Sequence, residues 1–129
     1  MTASQVEFVV PPRFCDAQEM VHASRYHEFL EDAFLQWLAD AGLPYDELRA
    51  RGCDLVIGTS SIRYHRPARL GDRLTIRSRA TSSTTSTVTV DFSVAREDTI
   101  LAEAAVTYIA VVDGASAPLP SKLVVDASD

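Results

Sequence analysis

SRYHEFLEDAFLQWLADAG, running from Ser24 to Gly42, sets the architecture of this chain. Its apolar residues are Tyr26, Phe29, Leu30, Ala33, Phe34, Trp37, Leu38 and Ala41, spaced three, one, three, one, three, one and three. That rhythm puts them all on one face of an α-helix. Ser24 stands where an N-cap belongs, and Glu28 and Glu31 suit the positive end of the helix dipole. Gly42 and Pro44 are stop signals. A face this rich in aromatic residues needs an equally large apolar surface to cover it.

The flanking sequence supplies that surface. Before the helix, VEFVV (Val6 to Val10) reads as a strand stopped by Pro11 and Pro12, with a loop through about His22. After it, PYDELRARG is a short second helical piece ending at Gly52. From there the period changes to two. CDLVIGTSSIRYHRPA reads as one long strand bent at Gly58, followed by a turn at Leu70, Gly71 and Asp72. RLTIRSRAT alternates, with Leu74, Ile76 and Ser78 on one side and Arg73, Thr75, Arg77 and Arg79 on the other. STVTVDFSVARED alternates with Val88, Val90, Phe92 and Val94 inward, and TILAEAAVTYIAVVD is a last long strand. The Ser/Thr run from Thr81 to Thr89 is a hairpin turn with the solvent face of a strand. The segment after Gly114 reads as an irregular tail.

The expected architecture is therefore α+β: one long helix packed on an antiparallel sheet of about five strands. The 129 residues form a single domain, with the core between about Val6 and Val112. One sheet on one helix leaves an edge uncovered, which predicts a homodimer or homotetramer.

Composition narrows the function. Apolar residues make up 47% of the chain, so it is globular. A net charge of −6 and a pI near 4.9 exclude nucleic acid as the main partner. The charge is uneven, because Arg63, Arg66, Arg69, Arg73, Arg77 and Arg79 fall in one short segment while Lys122 is the single lysine. Such a cluster suits a phosphate-bearing ligand or an acidic protein. Cys15 and Cys53 form neither a disulfide framework nor a metal site, and no metal is expected. No signal peptide or membrane-spanning run is apparent, so the cytoplasm is the expected location.

Two segments carry a family resemblance. The run Asp16-Ala17-Gln18-Glu19-Met20-Val21-His22-Ala23-Ser24-Arg25-Tyr26 resembles the D-x-x-G-[IV]-V-x-x-x-x-Y segment of acyl-CoA thioesterases of the 4-hydroxybenzoyl-CoA thioesterase type. IRYHRPARLGDRLTI resembles their strand-turn-strand, with an aromatic–x–x–Pro–Ala–x–x–Gly–Asp pattern. The resemblance covers about Val6 to Val112 and implies the hotdog fold, in which a sheet wraps a central helix. It also implies hydrolysis of an acyl thioester carried by CoA or by the phosphopantetheine of a carrier protein, with no further cofactor. Two positions depart from the pattern: Glu19 stands for the usual glycine, and Arg25 for a small or neutral residue.

Thioester hydrolysis needs a base or nucleophile, donors for the oxyanion, and an acyl pocket. The resemblance assigns the first role to Asp16. Unpaired amides at the helix start suit the second, by position those of His22, Ala23 and Ser24. His22 is a candidate acid–base group, histidine being the side-chain type most often used for proton transfer. Arg25 adjoins these donors, and Glu31 is a reserve base. Tyr26 is a candidate pocket wall, and Glu19 a candidate substrate contact. Thr59, Ser60, Ser61 and His65 are candidates to approach a partner subunit's site, while Arg63, Arg66 and Arg69 are candidates for CoA phosphates or an acidic carrier surface. No G-x-S-x-G motif is present, so a serine hydrolase is not indicated. Two other readings stay open: addition, elimination or cyclisation on a polyketide thioester, and a non-catalytic thioester-binding or scaffold protein.

Overall fold

The computed structural model describes residues 3–126. Residues 1–2 and 127–129, which the single-domain reading includes, lie outside the described residues. Strand β1 (Ala3–Val9) leads through a 3-10 turn (Pro12–Phe14) and a loop to a second 3-10 turn (Ala23–Arg25). Helix α1 (Tyr26–Asp40) and short helix α2 (Tyr45–Ala50) follow. Four long strands complete the order: β2 (Asp54–Tyr64), β3 (Arg73–Ser83), β4 (Thr87–Arg96) and β5 (Thr99–Val112).

The strands form one antiparallel sheet in the order β1-β3-β4-β5-β2, and α1 packs on β1 and β3. The expected α+β architecture of one helix and five long strands is borne out. The helix face is the one the spacing indicated: Tyr26, Phe29, Leu30, Ala33, Phe34, Trp37 and Leu38 are all buried. Their covers are the inward positions of the sheet, including Leu74, Ile76, Val88, Val90, Phe92, Val94 and Val106. Two aromatic groups mark the ends of α1. Near its start Tyr26 meets Phe29 and Tyr64, and Phe8 and Phe14 meet Phe29. Further along, Phe34 stacks on Tyr108 with centroids 4.0 Å apart.

Two glycines shape the chain. Gly42 takes φ +86° and ends α1, with the Leu43 amide bonded back to the Leu38 carbonyl at 3.0 Å. At Gly58 an added Cβ would come 2.7 Å from Ile109 Cδ1, and the β2–β5 register shifts there between Ile57 and Thr59. The expected bend in the long strand is thus a β-bulge.

Three boundaries differ from the sequence reading. β1 begins at Ala3, because Ala3 to Val9 all pair with β3. Helix α1 begins at Tyr26, preceded by the 3-10 turn. The segment after Gly114 is ordered in part: strand β6 (Ala115–Ser116) pairs with β5, and a 3-10 turn (Ser121–Leu123) buries Leu123. Lys122 there donates to the Gly42 carbonyl at 2.9 Å, closing over the end of α1. Packing of Leu119 and Leu123 into the core supplies the order that turn-rich composition alone conceals.

Candidate active site

The site candidates gather where the loop before α1 meets the β2–β3 connection. Cys15 and Val21 form a bridge that closes the Asp16 loop on itself, and Asp16 N donates to Met20 O at 2.9 Å. The loop is then pinned to the connection by Val21 N to Ala68 O at 2.8 Å, Leu70 N to Glu19 O at 2.9 Å, and a Met20–Arg69 bridge. Asp16 is exposed. Its Oδ1 accepts from Gln18 N at 2.8 Å and Met20 N at 3.2 Å. Its Oδ2 accepts no hydrogen bond from the described residues. Glu19 sits at φ +62°, the left-handed region that glycine tolerates best. The glycine of the resembled motif therefore answers a backbone demand, which this chain meets with a strained glutamate.

The helix start is more occupied than the sequence implied. His22 Nδ1 accepts from Ser24 N at 3.3 Å and lies 2.8 Å from Ser24 Oγ. His22, not Ser24, is the capping residue, and it caps the 3-10 turn. The His22 amide itself donates to Phe14 O at 3.0 Å. Of the three expected oxyanion donors, only the Ala23 amide has no partner among the described residues. Arg25 and Glu19 do not pair with each other. The Arg25 guanidinium holds Glu28 at 2.9 Å and lies over the Phe14 ring.

A small cleft of about 280 Å³ opens beside Ala23, lined also by Val21, Tyr26, Tyr64, His65, Arg66 and Pro67. Tyr26 is its buried wall. Burial raises the Tyr26 phenol above its ordinary pKa, and the phenol oxygen receives Ala68 N at 3.4 Å. Tyr64 packs edge-on against Tyr26 and donates to the Ala23 carbonyl at 3.4 Å. His65 Nε2 lies 3.2 Å from Glu103 Oε2. The structure thus brings Ala23, Tyr26, His65 and Arg66 together. Asp16 does not line the cleft but stands on the loop that ends at its wall residue Val21.

Other candidates lie elsewhere. Glu31 is exposed on α1 and does not line the cleft; its charge, after burial, raises the Tyr108 phenol pKa. Thr59 and Ser60 are exposed on the edge strand β2. Ser61 and Arg63 line a different groove on the sheet. Arg69 belongs to the loop bridge with Met20. Cys15, beside Asp16, is a poor nucleophile, because desolvation and then the Asp16, Glu19 and Asp72 carboxylates raise its thiol pKa. Tyr64 and Glu103 are the contributors that sequence reasoning missed. Tyr64 was visible inside the aromatic–x–x–Pro–Ala pattern, whereas nothing in the sequence ties Glu103 to His65, 38 residues away.

A curled antiparallel sheet around one long helix, with an acidic loop at the helix start, defines a hotdog-fold protein. The chain belongs to the thioesterase-like superfamily, whose family model matches residues 10–125. A relative from Aquifex aeolicus named "Putative esterase" is 27% identical over 108 residues, 84% of each chain. A hypothetical protein from Thermus thermophilus superposes with a TM-score of 0.88 at 28% identity, covering 93% of both chains. A 1,4-dihydroxy-2-naphthoyl-CoA thioesterase from Synechocystis has the same fold, with a TM-score of 0.84 at 21% identity over 94% of this chain and 92% of its own. Among the described residues no helix is long and apolar enough to cross a membrane.

Proposed function

We propose that this protein hydrolyses acyl-CoA thioesters at the cleft beside Ala23. The observation that carries the reading is that the stretch leading into α1 holds both an exposed carboxylate, Asp16, whose Oδ2 accepts no hydrogen bond from the described residues, and the Ala23 amide, which has no partner among them. Asp16 takes a proton from water as the oxygen attacks the thioester carbonyl. The Ala23 N–H stabilises the oxyanion. The C–S bond then breaks, and the departing thiolate recovers the proton from Asp16. Membership of the thioesterase-like superfamily supports this chemistry. The Synechocystis relative's aryl-CoA activity makes an aromatic acyl group the first class to test. His22 orients the turn through Ser24, and the substrate brings the only cofactor-like group.

The cleft of one chain is at the small end of ligand sites, which span about 300–1,000 Å³. Its neighbour β2 is an edge strand with Val56 and Ile57 exposed. Pairing of two β2 edges in a homodimer would cover those side chains, satisfy the open backbone groups and enlarge the cleft. Thr59 and Ser60 would then face the partner.

The test is thiol release from an acyl-CoA and acyl-carrier panel by wild type and Asp16→Asn. A loss of about 10²–10⁴-fold in kcat is expected if Asp16 is the base. Wild-type turnover by Asp16→Asn removes it from that role. An acyl chain altered before release, seen by mass spectrometry, would favour addition or cyclisation over hydrolysis.

A further inference from the structure

Preorganised donors aimed at developing charge stabilise an oxyanion, and such sites commonly use two. Among the described residues the helix start offers one free amide, that of Ala23. The His22, Ser24 and Arg25 amides are spent on Phe14 O, His22 Nδ1 and His22 O. A hydroxyl stands beside Ala23. Tyr64 Oη lies 3.4 Å from the Ala23 carbonyl oxygen. That contact is long for an O–H donor, whose bonds run at about 2.5–3.0 Å. The carbonyl does not depend on it, because the Tyr26 N–H donates to the same oxygen. The hydroxyl can therefore turn away without leaving an acceptor unmet. The rest of Tyr64 is fixed. It ends β2, paired with Ala102 of β5, and the His65 and Arg66 amides just beyond it both bond to Leu101 O, at 2.8 and 3.1 Å. Its ring packs edge-on against Tyr26, with centroids 5.1 Å apart. It lines the cleft and is 49% exposed. Tyr26, the other phenol of the cleft, is buried, and its oxygen receives the Ala68 amide. Of the two phenols, only that of Tyr64 belongs to an exposed residue.

We propose that Tyr64 is a catalytic residue of this site, its phenol O–H donating to the oxyanion together with the Ala23 N–H. The inference rests on the reading of the protein as an acyl-thioester hydrolase. At rest the hydroxyl bonds the carbonyl of the same residue whose amide is the other donor, so both donors start at Ala23. When the thioester carbonyl enters the cleft, the hydroxyl hydrogen turns from Ala23 O to the thioester oxygen by rotation about the phenol C–O bond. Attack by water converts that oxygen to an alkoxide. A hydrogen bond from O–H to an anion is shorter and about twice as strong as one to a neutral acceptor. The gain therefore arises in the transition state more than in the bound substrate, and it appears in kcat. The ring is already held by Tyr26 and the β2–β5 pairing, so the donor needs no reorganisation beyond that rotation. No proton leaves Tyr64. The proton of the attacking water goes to Asp16, collapse of the alkoxide breaks the C–S bond, and the hydroxyl returns to the Ala23 carbonyl.

The test is Tyr64→Phe, which keeps the ring and its contact with Tyr26 and removes only the hydroxyl. With an acyl-CoA substrate, kcat should fall by about 10²-fold, the scale of one lost oxyanion donor, while KM stays within about twofold of wild type. An unreactive thioether analogue of the same acyl-CoA has no carbonyl to become an oxyanion, so calorimetry should show equal binding by both proteins. The melting temperature should match that of wild type. Parental kcat in Tyr64→Phe overturns the proposal. So does a loss confined to KM and matched by weaker binding of the thioether, which would make Tyr64 a wall of the cleft. A fall in kcat that comes with a melting temperature lowered by several degrees also overturns it, by assigning the hydroxyl to stability. If wild type releases no thiol from any acyl thioester, the hydrolase reading fails and the role of Tyr64 with it. If wild type turns over and Tyr64→Phe matches it, the role of Tyr64 fails while the hydrolase reading stands.

Discussion

Asp72 and Arg96, 24 residues apart in sequence, meet through a 2.7 Å hydrogen bond from the Arg96 guanidinium to Asp72 Oδ2. The same oxygen accepts the Arg69 amide at 2.9 Å. Asp72 therefore ties β4 to the connection whose Ala68, Arg69 and Leu70 hold the Asp16 loop. Asp72→Ala should lower stability by about 2 kcal/mol, since it removes two hydrogen bonds, one of them charge-assisted. It should also reduce kcat more than Arg96→Ala does, because only Asp72 bonds Arg69, the residue of the connection that bridges to Met20 of the loop. Chemical denaturation and steady-state kinetics check this. Equal kinetic losses in the two variants would place the effect in stability alone.

Glu19 occupies a left-handed backbone position at φ +62°. Its side chain carries no hydrogen bond or ion pair among the described residues. Glu19→Gly should therefore relieve strain of about 1 kcal/mol, partly offset by the greater freedom of glycine in the unfolded chain. The expected melting temperature is equal to or a few degrees above that of the parent. A fall of several degrees would show that the glutamate side chain contributes something the geometry does not reveal.

Burial, the largest cause, raises the phenol pKa of Tyr26, Tyr45 and Tyr108. Tyr45 is raised further by its hydrogen bond to Asp54 at 3.1 Å. A raised folded-state value means that the native protein holds these protons more tightly than the unfolded chain. The resulting stability is intact below the ordinary value near 10 and is lost as pH rises above it. Denaturation midpoints should hold steady to about pH 9.5 and then decline. Tyr→Phe at position 108 should flatten the decline. A decline of equal steepness in that variant would move its cause elsewhere.

Ile57 is 54% exposed on the open edge of β2, next to the bulge at Gly58. Ile57→Lys should leave the fold intact and convert the proposed dimer to monomer in sedimentation velocity, because a charged edge opposes strand pairing. KM for acyl-CoA should rise, since the cleft would lose its second wall. An unchanged oligomer with unchanged kinetics would exclude β2 as the contact.

The local chemistry of the chain was enough for much of this molecule. Helix periodicity from Tyr26 to Leu38 and strand alternation in β3, β4 and β5 are properties of neighbouring residues, so the helix, the strands and the burial of each face were legible without coordinates. The motif around Asp16 was equally local, and it led to the family that the comparisons show. Tertiary structure alone decided which groups are free to act. The Ser24 amide is spent on His22, the His22 amide on Phe14, and the Ala23 amide remains. It also decided that Arg63 parts from Arg66, one turning to the outer face of the sheet and the other to the cleft, and that Glu103 meets His65. The reason is physical. Period and propensity act between residues a few positions apart, whereas hydrogen-bond competition and strand register join residues tens of positions apart, and only the folded sheet sets those distances.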